Sequence, residues 1–248
     1  MRPPPLPTQI DVLNRVLEVV SAARRHREPP PLVVFDLDGT LLDTRPRTLR
    51  ILQDYASDIA EEFPEIANAL GGITLDALRY LLSDTLRDHG ISQPDQIRDV
   101  THYWRDRFFS DDYLVCDEPL EGAVDYVGLL HETGASIMYL TGRDSLSMLV
   151  GTVTSLSNRG FPFGSPGIEL VLKPDSTLAD EAFKRSTLPT LNAVGNVVAY
   201  FDNEPANCNM ASAFFPDAIV VHVESQQVPG APLADEGVES IIDFRTFA

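Results

Sequence analysis

The sequence predicts an α/β fold, a doubly wound parallel sheet that carries a small helical domain. Three observations predict it. From Leu120 onward, short runs of β-branched and aromatic residues alternate with stretches of helical periodicity, the pattern of βαβ units. One further apolar run, Leu32 to Phe35, stands alone near the N-terminus, and residues 46–112 after it show helical periodicity without a convincing strand. Finally, the three strongest apolar runs all stop at carboxylates or hydroxyls, and ligands of open α/β sheets bind outside the carboxyl ends of the strands.

The first nine residues are proline-rich and are expected to be poorly ordered. Ile10, Leu13, Leu17 and Val20 recur at helical spacing and predict a helix over 10–26. It fades into the basic cluster Arg24-Arg25-His26-Arg27, which suits a helix C-terminus, and Pro29-Pro30-Pro31 stops it. The run Leu32–Phe35 follows as a buried strand.

Within 46–112 three apolar stripes predict helices that pack as a bundle. Leu52, Tyr55, Ala56, Ile59 and Phe63 form the first. Leu75, Leu78, Leu81, Leu82 and Leu86 form the second, with Thr74 as N-cap and Gly90 beyond the end. Ile97, Val100, Trp104 and Phe108 form the third, opening near Pro94. The aromatic residues Tyr103, Trp104, Phe108 and Phe109 are expected in the bundle core, with a ligand box as the alternative. Arg45, Arg47, His102, Arg105 and Arg107 are expected mostly on a solvated helix face, with substrate contact as the alternative.

The later elements follow in order: helix Ala123–His131, strand Ala135–Leu140, helix Ser145–Asn158, strand Ile168–Leu172, helix Asp180–Leu191, strand Val197–Phe201, helix Ala206–Phe214, strand Ala218–Val223 and a last strand at Ser240–Phe244. The expected division is a core of 1–45 and 113–248, with 46–112 as the helical insertion.

Composition narrows the function. The formal net charge of -18 over 248 residues repels phosphate backbones and anionic surfaces, which argues against long nucleic acids and membranes as partners. A small phosphorylated substrate stays compatible, because a divalent cation overrides the field locally. Cys116 and Cys208 have neither CxxC nor zinc spacing and read as reduced structural thiols. With no apolar run long enough to span a bilayer and no secretory signal, a cytoplasmic protein is expected.

The strand ends carry the chemistry. Leu32–Phe35 ends at Asp36-Leu37-Asp38-Gly39-Thr40, the 135–140 run at Thr141-Gly142-Arg143, and the 197–201 run at Asp202-Asn203-Glu204. Strand alternation would send Asp36 and Asp38 to one side, where two carboxylates repel unless a cation or a shared reaction partner lies between them. Oxygen ligands without histidine or cysteine suit Mg²⁺. Asp36 is then placed to attack phosphorus as a nucleophile. Asp38 is placed to protonate the leaving alcohol and to deprotonate water. Thr141, with the N–H groups that follow it at Gly142, is placed to hold the phosphoryl oxygens. Arg143 reads as structural.

DLDGT after a hydrophobic strand, a strand ending in T-G-R and a strand ending in an acidic cluster together resemble motifs one, two and four of the haloacid dehalogenase (HAD) superfamily. The resemblance implies a Rossmann-like core with a C1-type helical cap. It implies Asp36 as the phosphorylated nucleophile, Asp38 as general acid/base and Thr141 as the motif-two hydroxyl. It implies a metal held by Asp36, the main-chain carbonyl of Asp38, and Asp202. Other residue types fill the Asp38 position in dehalogenases and P-type ATPases, so aspartate there implies a phosphatase or phosphomutase. Two lysines compete for motif three. Lys184 is favoured because its helix runs into the catalytic strand; Lys173, in VLKPD, is the rival. The second acid often found in motif four is replaced here by Asn203 and Ala206, leaving Asn203, Glu204 or Asn207 to complete the metal shell. The expectation is a Mg²⁺-dependent phosphohydrolase acting on a small phosphomonoester. The alternatives are a phosphomutase, a non-catalytic binding module and, disfavoured by the acidic charge, a nucleic-acid 3′-end phosphatase. Oligomeric state is not legible.

Overall fold

The computed structural model describes residues 7–24 and 29–246, arranged as two units. The proline-rich start up to residue 6, the basic segment 25–28 and the last two residues lie outside the described residues, and so does the expected helix end at 26. The first unit comprises 1–42, 119–146 and 156–248; the second comprises 43–118 and 147–155.

The first unit opens with helix α1, Pro7–Arg24, three residues earlier than its apolar spacing suggests. Gln9 explains the difference. Its side chain is fully buried and donates to Asp243 at 2.7 Å, while its carbonyl accepts from the Ile242 N–H at 3.0 Å. Strand β1, Pro31–Phe35, is buried throughout. Two short strands, β2 (Leu42–Asp43) and β3 (Glu118–Pro119), pair with each other. After β3 come α6 (Ala123–Thr133), β4 (Ser136–Asp144), α7 (Leu149–Arg159), β5 (Ile168–Lys173), α8 (Asp180–Leu191), β6 (Asn196–Asp202), α9 (Pro205–Phe214), β7 (Ile219–Val223) and β8 (Glu239–Ile241); α2 to α5 belong to the second unit and are given below. Gly134 ends α6 with φ +110°, where its N–H reaches the Leu130 and His131 carbonyls.

The sheet is six-stranded and parallel, in the order β5-β4-β1-β6-β7-β8. Reversal of direction at β1 puts helices on both faces. On one face Val12, Leu13 and Val16 of α1 and Tyr126, Val127 and Leu130 of α6 pack with Val33, Phe35, Tyr139 and Phe201. On the other, Phe183, Leu188 and Leu191 of α8 and Cys208, Met210 and Ala211 of α9 pack with Leu32, Val34, Met138, Leu140 and Tyr200. Alternate strand residues thus serve opposite faces, so both faces must be apolar and the strands read as continuous apolar runs. The alternation skips once. The register slips between Leu32 and Val33, which pair with Val197 and Ala199.

Three expectations need correction in this unit. β4 does not stop at Leu140 but continues to Asp144, with a register shift between Thr141 and Asp144, so T-G-R lies inside the irregular end of the strand. Helix α7 begins at Leu149 rather than Ser145, because Ser145 and Asp144 are used in a turn: the Ser145 N–H bonds the Lys173 carbonyl and Asp144 accepts from the Leu146 N–H. The last strand ends at Ile241. Phe244 lies beyond it yet is buried against Phe35, Tyr126 and Phe201, so hydrophobicity there signals packing and not a strand.

The second unit holds α2 (Arg45–Ile59), α3 (Pro64–Gly71), α4 (Leu82–Asp88) and α5 (Pro94–Phe108) around Leu52, Ala56, Leu70, Ile73, Leu78, Leu82, Leu86, Ile91 and Val100. Proline sits in the first turn of α2, α3 and α5, where the missing N–H costs no hydrogen bond. The leucine stripe from Leu75 is not one helix. A 3₁₀ turn covers Leu75–Ala77, Leu78 is extended, and α4 starts at Leu82. Thr74 makes no side-chain cap bond; Thr85 instead accepts from the Arg79 N–H across the break. The aromatic residues of α5 are also not its buried face, which is held by Val100. Trp104 packs partly on the core and donates to Thr48, Phe109 is exposed, and Tyr103 packs at a tilt against Tyr55 with Arg107 above its ring. Arg47 overturns the solvated-face expectation altogether. It is fully buried, with its guanidinium forked onto Asp117.

Candidate active site

The site forms at the carboxyl ends of β4, β1 and β6, three adjacent strands. Beyond Phe35 the ladder persists for one residue, as the Asp36 N–H donates to the Phe201 carbonyl at 2.9 Å. The chain then turns tightly. The N–H groups of Thr40, Leu41 and Leu42 all point at the Leu37 carbonyl, and Gly39 takes φ +81° and donates to the Leu42 carbonyl. A Cβ at position 39 would fall 2.5 Å from Nδ2 of Asn203, a buried side chain held by the Gln226 carbonyl. Gly39→Ala therefore combines a left-handed backbone with a clash, and should lower stability by about 1–3 kcal/mol. A denaturant midpoint equal to that of the parent would refute this.

The turn gives the two aspartates different side-chain partners. Asp36 is buried; its Oδ2 accepts from Thr40 Oγ1 at 3.0 Å and its Oδ1 from Lys184 Nζ at 2.8 Å. Asp38 is partly open, its side chain 33% exposed, and faces the Arg143 guanidinium. Each carboxylate thus has its own cation.

Of the two competing lysines, Lys184 reaches the site. From the second turn of α8 it bridges Asp36 and Asp202, donating to Asp202 Oδ2 at 2.6 Å. Lys173 instead donates to Asp180 at 2.6 Å and to the Leu178 carbonyl at 3.0 Å. Asp180 in turn lies over Gly142: a Cβ there would meet Asp180 Oδ2 at 2.3 Å. Thr141 is fully buried, and its Oγ1 accepts from the Arg143 N–H at 3.2 Å.

Asp202 is fully buried, and both of its carboxylate oxygens accept hydrogen bonds. Oδ2 accepts from Lys184 and from the Tyr200 hydroxyl at 2.9 Å; Oδ1 accepts from the Glu204 N–H at 3.0 Å and from Asn207 Nδ2 at 3.1 Å. Asn207 therefore orients Asp202. Asn203 donates to the Gln226 carbonyl, and Glu204 accepts from the Val228 N–H. Tyr200 and Asp180 are participants that sequence reasoning missed, and for Arg143, read there as structural, it missed the partner. Tyr200 was detectable, since it shares a strand face with Asp202 two residues on. Arg143 and Asp180 reach partners distant in the chain and gave no local signal.

Electrostatics at the site are dominated by burial. Burial lifts the Asp36 carboxyl from 3.8 to about 7; Lys184 opposes the rise, while Asp202 and Asp38 add to it. Burial pulls the Lys184 ammonium down, but Asp202 and Asp36 more than offset it and hold the lysine charged. Burial, then Asp202, pushes the Tyr200 phenol well up, so it stays a donor. Asp36, Asp38 and Asp202 are three carboxylates facing two cations, Lys184 and Arg143. Among the described residues no group of three or more His, Cys, Asp or Glu side chains is arranged to hold a metal. The donors present are nonetheless all oxygens, the set a hard cation takes. Two carboxylates plus a carbonyl suit Mg²⁺, which keeps waters and completes its shell with substrate oxygens.

A parallel sheet wound on both faces, with acids and a lysine at its carboxyl edge, defines a class, and comparison with known proteins agrees with it. The profile of the haloacid dehalogenase-like hydrolases matches residues 30–156. The chain belongs to that family and is a HAD-like hydrolase. A crystal structure from Clostridium difficile, described as a candidate phosphatase, is similar at TM-score 0.55 and 16% identity, over 86% of this chain and 94% of that one. A HAD-superfamily hydrolase of subfamily IA from Geobacter sulfurreducens is similar at TM-score 0.50 and 13% identity, over 87% and 93%. At such identities the likeness is one of fold. No curated protein matches. Among the described residues no helix is long and apolar enough to cross a membrane.

Proposed function

We propose that the protein is a Mg²⁺-dependent phosphohydrolase that cleaves small phosphomonoesters through an aspartyl-phosphate on Asp36. The observation that carries this is the Lys184 bridge between Asp36 and Asp202 at 2.8 and 2.6 Å, with Asp38 held apart on Arg143. A buried carboxylate fixed by a lysine and a hydroxyl is a positioned nucleophile. Asp38, more open, is placed to carry protons.

In the first step an Asp36 oxygen attacks phosphorus, the bond to the ester oxygen breaks, and Asp38 gives its proton to the leaving alcohol. In the second, Asp38 takes a proton from water, the water oxygen attacks the same phosphorus, and the acyl phosphate bond breaks to free phosphate and Asp36. Lys184 screens nucleophile and phosphoryl group from each other throughout. Thr141 and the N–H groups beyond it offer donors to the phosphoryl oxygens. Asp36, Asp202 and the Asp38 carbonyl would hold Mg²⁺, which supplies positive charge to carboxylates and phosphate that two side-chain cations leave under-compensated. The second unit would serve as the cap that selects the substrate, a small phosphorylated metabolite.

The test is phosphate release from a panel of phosphorylated sugars, nucleotides and cofactors with Mg²⁺. Chelation by EDTA should suppress turnover by on the order of 10² or more, with recovery on adding Mg²⁺ back. Release that survives EDTA would remove the metal from the proposal. Substrate isomerisation without free phosphate would indicate a mutase, and no turnover without a beryllium fluoride adduct on Asp36 a binding module.

A further inference from the structure

Among the described residues, the T-G-R arginine is the one large buried cation at the site to which the reaction above gives no task. Arg143 sits in the irregular end of β4, and its side chain is only 1% exposed, although arginine is rarely buried so fully without a partner. Its guanidinium spans the Asp38 carboxylate. Nε lies 3.0 Å from Oδ1 and 3.2 Å from Oδ2, and a terminal nitrogen also donates to Oδ1. The other end of the residue is fixed too, because its N–H donates to Thr141 Oγ1 at 3.2 Å. One arginine therefore links the hydroxyl on β4 to the carboxylate after β1, across 105 residues of sequence.

From this geometry we propose that Arg143 is a positioning residue that locks Asp38 in the orientation from which it transfers protons. The proposal rests on the phosphohydrolase reading. Arginine keeps its own protons at any accessible pH, so it is not the proton carrier itself. What its rigid fork supplies is direction. With both oxygens engaged by a guanidinium that is itself buried, the carboxylate plane is fixed while the side chain stays one-third exposed. The lone ammonium of a lysine would keep the charge without fixing the plane.

Leaving-group chemistry reads this role directly. An alkyl phosphate expels a strongly basic alkoxide and needs a proton delivered; p-nitrophenyl phosphate expels a stable phenolate and does not. For both, kcat/KM reports transfer to Asp36. Arg143→Lys and Arg143→Gln should each lower kcat/KM on an alkyl phosphate by on the order of 10² while lowering it less than about tenfold on p-nitrophenyl phosphate, the same discrimination as Asp38→Asn. Equal losses on both substrates, or a loss confined to KM, would overturn the assignment and leave the phosphohydrolase standing. A parent protein that hydrolyses neither substrate with Mg²⁺ would overturn both. Should Arg143→Gln fail to fold, Arg143→Lys retains the buried charge and decides the matter alone.

Discussion

Asp36→Asn is expected to reduce phosphate release by at least about a thousandfold while leaving the protein folded, since removal of a nucleophile leaves only binding and electrostatic contributions to rate. The stability half of this prediction follows from the direction in which burial moves the carboxyl. Raised from 3.8 to about 7 in the folded, metal-free protein, Asp36 binds its proton more tightly folded than unfolded. The stabilisation that results is fully present below the unfolded value and is lost as pH rises through about 7. Asparagine has no charge to desolvate, keeps an oxygen to accept from Lys184, presents an N–H that the Thr40 hydroxyl accepts, and escapes that loss. At pH 8 without metal the variant should thus melt no lower than the parent. Turnover near the parent's rate would eliminate Asp36 as nucleophile. Inactivity accompanied by a large drop in melting temperature would show that the substitution acts through folding.

The positions of these carboxylates were readable from sequence for a definite reason. In a sheet covered on both faces the strands are unbroken apolar runs, so the first polar residue marks the strand end, and in this fold the strand ends are the site. Asp36 and Asp202 follow directly, while Thr141 marks the point where β4 turns irregular and not where it ends. The partners of those residues were not readable. Lys184 and Lys173 both lie on connections leading toward β6, and only the placement of α8 against the sheet separates a lysine that reaches Asp36 from one that ends on Asp180. Arg143 and Asp38 are joined by sheet order, not by spacing.

Helix boundaries failed where periodicity reports burial without reporting backbone. Leu75, Leu78, Leu82 and Leu86 all pack on the second unit's core, yet Leu78 does so from an extended backbone. An apolar stripe at helical spacing is satisfied by a 3₁₀ turn, a bend and a short helix as well as by one long helix. Thr85 stabilises the bend by accepting from Arg79, a bond no cap rule anticipates. Gln9 shows the converse. A polar residue in a proline-rich leader looks external, but its amide joins α1 to the chain after β8 with both of its polar atoms satisfied.

The largest stability effect is expected in the second unit, at a residue that amphipathic reasoning placed in solvent. Arg47 and Asp117 are both fully buried, joined by two bonds of 2.7 Å, and the guanidinium also donates to the Phe108 carbonyl at 2.9 Å and lies 4.2 Å over the Phe108 ring. Arg47→Met removes one charge and leaves the other desolvated, which should cost about 3–5 kcal/mol, a large share of a typical stability of about 5–15 kcal/mol. Asp117→Asn strands the arginine in the same way. The double variant Arg47→Met, Asp117→Asn buries no charge, so its loss should fall short of the sum of the singles by about 2–3 kcal/mol. Urea melts of the four proteins measure this. Additive losses would mean that the two side chains do not depend on each other. The cycle also separates two explanations for a buried ion pair. If the double variant is nearly as stable as the parent, the pair contributes little net stability, and its effect is to make either residue intolerable without the other. A coupling of about 2–3 kcal/mol instead places the double variant above the sum of the singles but below the parent, because the buried amide at 117 and the Phe108 carbonyl both lose their donor.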